Sequence, residues 1–394
     1  MTERPLIYLD YAAGTPLAKE AFEAMRPFLI ERFSNPRALH RDGKANKEVI
    51  DTARSDIARR LNTSADEIQF TSGGTDANTR ALLGVVNALQ DSGRELSSMH
   101  IIVSMLEHSS VRSCAEMLAR RGLAVSFAPV TKDGVVDAKA LLDLVNEKTV
   151  LVSLMLVNNE LGTVQPVSEI GKKLREKKNE TKSQFPLLHT DATQAALTIA
   201  LDVQKLNVDL LSLDAYKMYG PVGTGLLYVR NGTPYAGLHG VLHGRPAYEG
   251  GTPNVAGIVG MQKAFEIADE KREEITLHFN ALSDYMIERV KERFPSLIIN
   301  GEHAQRTGGI VNITFPEAEG EFLVAQLSER GIAASAKSAC LSNGGEGSYV
   351  VASFDREHAN STVRFSFGRE TTREDIDVCV STLSDIVLYK TCVV

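Results

Sequence analysis

Seven short apolar runs punctuate the first 230 residues, with helical patterns between several of them. The runs are EIQFTSG (67–73), HIIVSML (100–106), LAVSFAPV (123–130), TVLVSLMLV (149–157), FPLLHTD (185–191), DLLSLDA (209–215) and TGLLYVR (224–230). Amphipathic stretches accompany them: NKEVIDTARSDIARRLN (46–62) precedes the first run, and VRSCAEMLARRG (111–122) and VSEIGKKLREKK (167–178) lie between later ones. Strand–helix alternation predicts an α/β architecture, a mostly parallel sheet covered by helices on both faces. Ligands of such sheets gather at the carboxyl ends of the strands. Those ends read TSGGT, EHSS, NNELG, TDATQ and DAYK, five polar clusters on otherwise apolar strands.

The texture changes after about residue 255. One long helical run, 258–294, is followed by GGIVNITFP (308–316), EFLVAQLSERG (321–331), IAASAKSACLSNGG (332–345), TVRFSFG (362–368) and a last helix, REDIDVCVSTLSDIVLYK (373–390). This reads as a smaller α+β unit. A chain of 394 residues also exceeds what one core usually supports, about 250–300 residues. The expected division is a large domain over 15–257 and a small domain made of 1–14 and 258–394.

Composition excludes more than it selects. A net charge of −7 argues against a nucleic-acid partner held by overall charge. No apolar run reaches the ~18 residues of a membrane span. The start, MTERPLIYLDYAAGTPL, has no basic stretch leading into a long apolar core, so no export signal is expected. Cys114, Cys340, Cys379 and Cys392 are widely spaced, with no CxxC pair and no metal-ligand cluster. A reducing cytoplasm and no metal are the expectations. By position Cys114 and Cys379 read as buried structural thiols, and Cys392 as a chain-end residue.

The polar clusters occur in a specific order. YLDYAAGTPL (8–17), NPRALHRDGKAN (35–46), FTSGGTDAN (70–78), EHSSV (107–111), VNNELGTVQPV (157–167), HTDATQ (189–194), KMYGPVGTGLLYVR (217–230), GTPNVAGIVG (251–260), SAC (338–340) and VRFSFGR (363–369) run nearly end to end. Together they resemble the cysteine desulfurases, class-V aminotransferase-like enzymes of the pyridoxal-phosphate (PLP) fold type I. The resemblance implies a large domain with a mostly parallel seven-stranded sheet, PLP as cofactor, L-cysteine as substrate and a homodimer. It also implies a sulfur-acceptor protein, either an Fe–S scaffold or a tRNA-thiolation carrier.

It assigns roles as well. Lys217, which by itself reads as a solvated turn residue, becomes the amine that carries PLP and moves the substrate's Cα proton. Asp191, otherwise a helix N-cap, pairs with the pyridinium nitrogen. Gln194 and Asn159 contact the ring's phenolic oxygen, and Asn159 also faces the substrate. His108 stacks on the ring and serves in acid/base steps. Gly74 and Thr75, in a strand-to-helix turn that is otherwise a plain Gly-Gly turn, meet the phosphate at a helix start. Tyr216 and Thr252 fall at phosphate positions, Thr252 toward the partner subunit's cofactor. Arg364, otherwise a surface ion pair, clamps the substrate carboxylate. Cys340, in the Ser-, Asn- and Gly-rich SACLSNGGEGS, attacks the substrate's Sγ and carries the persulfide.

The departures from the family cluster at the phosphate. Asp214 and Tyr216 stand where the family usually has serine and histidine, and Glu249 where it has arginine. VLHGRPAY (241–248) replaces a glycine-rich run, and its Arg245 or His243 is a candidate replacement cation. A carboxylate beside a dianionic phosphate is repulsive. Two other readings therefore stand beside the desulfurase: another class-V PLP enzyme (an aminotransferase, or a selenocysteine or cysteine-sulfinate lyase), and a paralogue that has lost catalysis and acts as a binding or scaffold subunit.

Overall fold

The computed structural model describes residues 6–237, 251–337 and 347–393, with side chains through Val387. The chain opens with β1 (Ile7–Tyr8), α1 (Lys19–Ile30) and α2 (Arg41–Arg60). The central region is β2 (Ile68–Thr71), α3 (Gly74–Asp91), β3 (His100–Ser104), α4 (Ser109–Arg120), β4 (Ala124–Ala128), α5 (Ala138–Asp143), β5 (Thr149–Ser153), α6 (Val167–Thr181), β6 (Leu187–Asp191), α7 (Val203–Leu206), β7 (Leu210–Asp214) and β8 (Gly225–Val229). Then come α8 (Val255–Glu270), α9 (Arg272–Arg293), β9 (Ile298–Ile299), β10 (Ile310–Thr314), α10 (Gly320–Ser328), β11 (Ile332–Ala333), α11 (Tyr349–Ala352), β12 (Thr362–Ser366) and α12 (Arg373–Val393).

All seven expected runs are strands of one sheet, ordered β2-β8-β7-β6-β5-β3-β4. β3 to β7 pair in parallel, whereas β8 runs antiparallel to both of its neighbours. β3, β5 and β6 are buried at every position, the signature of strands covered on both faces. The edge strand β4 is the half-exposed one. With β8 alone reversed, β2, β3, β5, β6 and β7 all end on the same side, and their polar clusters converge there.

The expected single helix over 258–294 is two. Lys271 leaves helical geometry between them (φ −100°, ψ 10°). The two halves serve different cores. Ile258, Met261, Ala264 and Phe265 of α8 pack into the large core with α1 and α2. Ile275, Phe279, Leu282, Met286 and Val290 of α9 recur every three or four residues and face β10, β12 and α12 in the second core. The second core therefore starts at about Ile275, and α8 belongs to the first. Leu9 also lies in the second core, and β1 pairs in parallel with β11. Residues 7–9 are thus held against the last third of the chain.

Among the described residues no helix is long and apolar enough to cross a membrane.

Candidate active site

A cavity of about 180 Å³ opens where the strand ends converge. Lys217, Asp191, His108, Gly74, Thr75, Asn159, Gln194 and Arg364 all line it, as do Asn78 and Asp214. Tyr216 and Thr252 do not. The Tyr216 ring lies over Gly14, where an added Cβ would come within 2.2 Å of it. Thr252 lines a second cavity with Thr71, Ser72 and Arg80, beside the β2–α3 turn. Cys340, Arg245, His243 and Glu249 lie outside the described residues. Cys114 and Cys379 are buried and unpaired, as their positions predict.

Lys217 follows β7 on a single 3-10 turn, capped by Asp214 accepting from the Tyr216 N–H (2.9 Å). Its Nζ donates to the carbonyls of Ala12 (3.0 Å) and Ala13 (2.7 Å). That segment is pinned beside it. The Thr15 N–H and hydroxyl both donate to the Tyr216 carbonyl, and the Tyr219 N–H donates to Thr15 Oγ1. Gln194 Nε2 reaches the same Ala12 carbonyl (2.9 Å).

Asp191 ends β6 and is buried. Its Oδ2 accepts from Asn78 Nδ2 (2.6 Å) and its Oδ1 from the Thr193 N–H (3.0 Å). Asn78 Nδ2 also reaches Ser110 Oγ (3.0 Å), which lies 2.8 Å from His108 Nδ1. His108 caps α4, and its Nδ1 accepts from the Ser110 N–H. A neutral ring therefore carries its proton on Nε2. One chain of side chains thus joins Asp191 to His108.

Glu107 lies behind His108, fully buried. Its Oε1 accepts from Ser104 Oγ (2.6 Å) and the Met155 N–H (2.8 Å). Burial pushes its carboxyl up to about 8, and the Asp191 charge pushes the same way.

Arg364 sits on β12 and is 2% exposed. Nη1 donates to the Asn159 carbonyl (2.9 Å) and Nη2 to Asp10 Oδ1 (2.7 Å). Among the described residues its buried Nε has no hydrogen-bond partner, and neither has the buried Asn159 Oδ1. Both residues line the cavity, so two unspent polar atoms belong to its lining. Sequence reasoning assigns no role to Asn78, Asp10 or the Ala12 and Ala13 carbonyls. For Asn78 a signal exists, since it lies one helical turn beyond Gly74. For a backbone carbonyl there is none.

The chain matches the family Aminotransferase class-V over residues 7–379. It is 38% identical to a protein named cysteine desulfurase IscS from Dictyoglomus turgidum, over 97% of this chain and 94% of that one. The chain belongs to the cysteine desulfurases of the class-V aminotransferase family. Among solved structures, a NifS-like protein superposes with a TM-score of 0.87 at 31% identity, covering 98% of this chain and 100% of that one. SspA, solved in complex with cysteine, gives 0.76 at 30% identity over 92% and 98%. This desulfurase accordingly has the fold of its PLP-dependent relatives.

The residues of the cavity fit PLP at the ring end. An amine, a buried carboxylate and an imidazole are grouped there, and Asn159 Oδ1 is a buried polar atom lacking a partner among the described residues. The other end is different. The Gly74 N–H at the start of α3 already donates to Asp214 Oδ2 (2.9 Å).

Proposed function

We propose that this desulfurase binds PLP in the cavity and converts L-cysteine to L-alanine, leaving a persulfide on Cys340. The observation that carries the reading is that Lys217, just after β7, and Asp191, at the end of β6, line one cavity with Arg364 from the distant β12. Bound there, PLP supplies an electron sink for charge developing at the substrate's Cα.

The protein's own groups do the rest. Lys217 holds the cofactor, and its freed amine moves the Cα proton. Asp191, held by Asn78 and the Thr193 N–H on its two oxygens, would pair with the ring nitrogen. Arg364 takes the substrate carboxylate through its guanidinium, oriented by Asp10. His108 offers Nε2 as the proton-exchanging atom. The Cys340 thiolate attacks the substrate Sγ. An S–S bond forms, the C–S bond breaks with its electron pair left on carbon, and a proton then completes alanine.

The reading extends to a homodimer in a reducing cytoplasm that passes sulfur to an Fe–S scaffold or tRNA-thiolation carrier. Exposed apolar side chains support the dimer: Leu29 and Ile30 at the end of α1, then Phe33 (81% exposed) and Leu39 (86%). Thr252, outside its own chain's cavity, is also in keeping with service to a partner's.

The test is direct. Purified protein with PLP, L-cysteine and a reductant should yield alanine and sulfide in equal amounts. Cys340→Ala should abolish sulfide release, and Lys217→Ala should abolish the visible absorbance of the protein–PLP complex. The Asp214 contact favours one second reading, a paralogue without catalysis. A colourless protein that PLP cannot reconstitute would favour that one.

A further inference from the structure

Asp214 is a carboxylate placed where an anion is best held. α3 is an 18-residue helix whose first turn begins at Gly74. Helix starts present unpaired N–H groups and a partial positive charge. The carboxylate can come this close because Gly74 has no side chain: a Cβ there would meet Thr193 Cγ2 at 2.9 Å and Asp214 at 3.3 Å. Asp214 Oδ2 takes the Gly74 N–H, while its Oδ1 takes the Tyr216 N–H (2.9 Å). A second carboxylate stands on the same turn. Asp76 accepts from the Ser72 N–H and is neutralised by Arg80 at 2.8 Å. Asp214 has no such cation among the described residues. Gly74, Thr75, Asp214 and Lys217 share one cavity with Asn159, whose Oδ1 is buried without a partner, so this helix start belongs to a ligand site.

We propose that Asp214 is a built-in competitor for the phosphate of the cofactor, and so determines how strongly this desulfurase depends on that phosphate for binding. The inference rests on the PLP reading above. Phosphate and carboxylate want the same donors, and a dianion arriving beside a carboxylate with no counter-cation among the described residues also meets repulsion. A neutral side chain at this position leaves the Gly74 N–H to the phosphate. The cost falls on the phosphate alone, so pyridoxal, which has the aldehyde and ring but no phosphate, should not feel it.

The experiment is a titration of apoprotein with PLP and with pyridoxal, followed by visible absorbance, for wild type, Asp214→Ser and Asp214→Asn. Asparagine keeps a capping oxygen, so loss of the turn and loss of the charge are separated. The expected result is at least a tenfold lower Kd for PLP in both variants, about 1.4 kcal/mol, with pyridoxal Kd unchanged within about twofold. Equal PLP affinity in all three proteins overturns the role of Asp214 and leaves the PLP reading intact. So does a pyridoxal Kd that moves by the same factor as that of PLP. If none of the three proteins binds PLP, both the inference and the PLP reading fall.

Discussion

Asp10 Oδ1 lies 2.7 Å from Nη2 of the fully buried Arg364, joining the segment after β1 to β12. A buried guanidinium without its anion is costly, commonly by about 3–5 kcal/mol. Asp10 itself is partly exposed, so Asp10→Ala should lower stability by less, about 2 kcal/mol, read as a shift in denaturant midpoint. Arg364→Lys removes the planar fork, and kcat/KM for L-cysteine should fall by about a hundredfold.

Asn78 tethers Asp191 to Ser110 and, through it, to His108. Asn78→Ala strips a buried carboxylate of one donor, a loss of about 1–3 kcal/mol. Asn78→Asp sets a second carboxylate against Asp191 and should be worse. Measured by PLP titration, affinity should rank wild type, then alanine, then aspartate. Equal affinities would show that the tether does not support the ring-binding carboxylate.

Two buried groups set opposite pH slopes. Glu107 titrates at about 8 in the fold against about 4.3 unfolded, so its contribution is complete below the unfolded value and is lost as pH rises to about 8. His189, between Ser153 and Ser212, is pushed by burial down to about 4 from about 6.5, so stability falls as pH drops through that window. The slopes oppose each other below about pH 6.5, and above it Glu107 acts alone. From pH 6.5 to 8 its share should be about 2 kcal/mol of lost stability. In Glu107→Gln, urea unfolding across that range should be flatter by this amount, and the His189 slope should emerge at lower pH.

Burial pushes the Cys114 thiol up to about 11 and Cys379 higher still. Neither is a thiolate at neutral pH, so neither should be alkylated by iodoacetamide in the native protein. Peptide mass spectrometry should find both unmodified until denaturant is added. Rapid native labelling of either one would contradict this assignment of structural thiols.

The sequence by itself determined the elements and the order of the chemistry. Each strand of the main sheet is a short apolar run, and β3, β5 and β6 are the plainest because burial on both faces leaves no alternation to disguise them. Asp191 is legible because it ends such a strand, Lys217 and His108 because they follow one within a few residues, and Arg364 because it lies in the apolar run of β12. Only the tertiary structure decided what these residues touch. The run over 258–294 carries apolar residues throughout, and its division at Lys271 follows from two cores that lie on opposite sides of it. Asp10 with Arg364, Asn78 with Asp191, and Lys217 with the Ala12 and Ala13 carbonyls are pairings between distant segments, set by sheet order and chain reversal rather than by local propensity. Asp214 shows the difference most sharply. Its sequence position marks it as an unexpected charge near a phosphate site, and only the fold turns that carboxylate onto the Gly74 N–H, because β7 ends beside the start of α3.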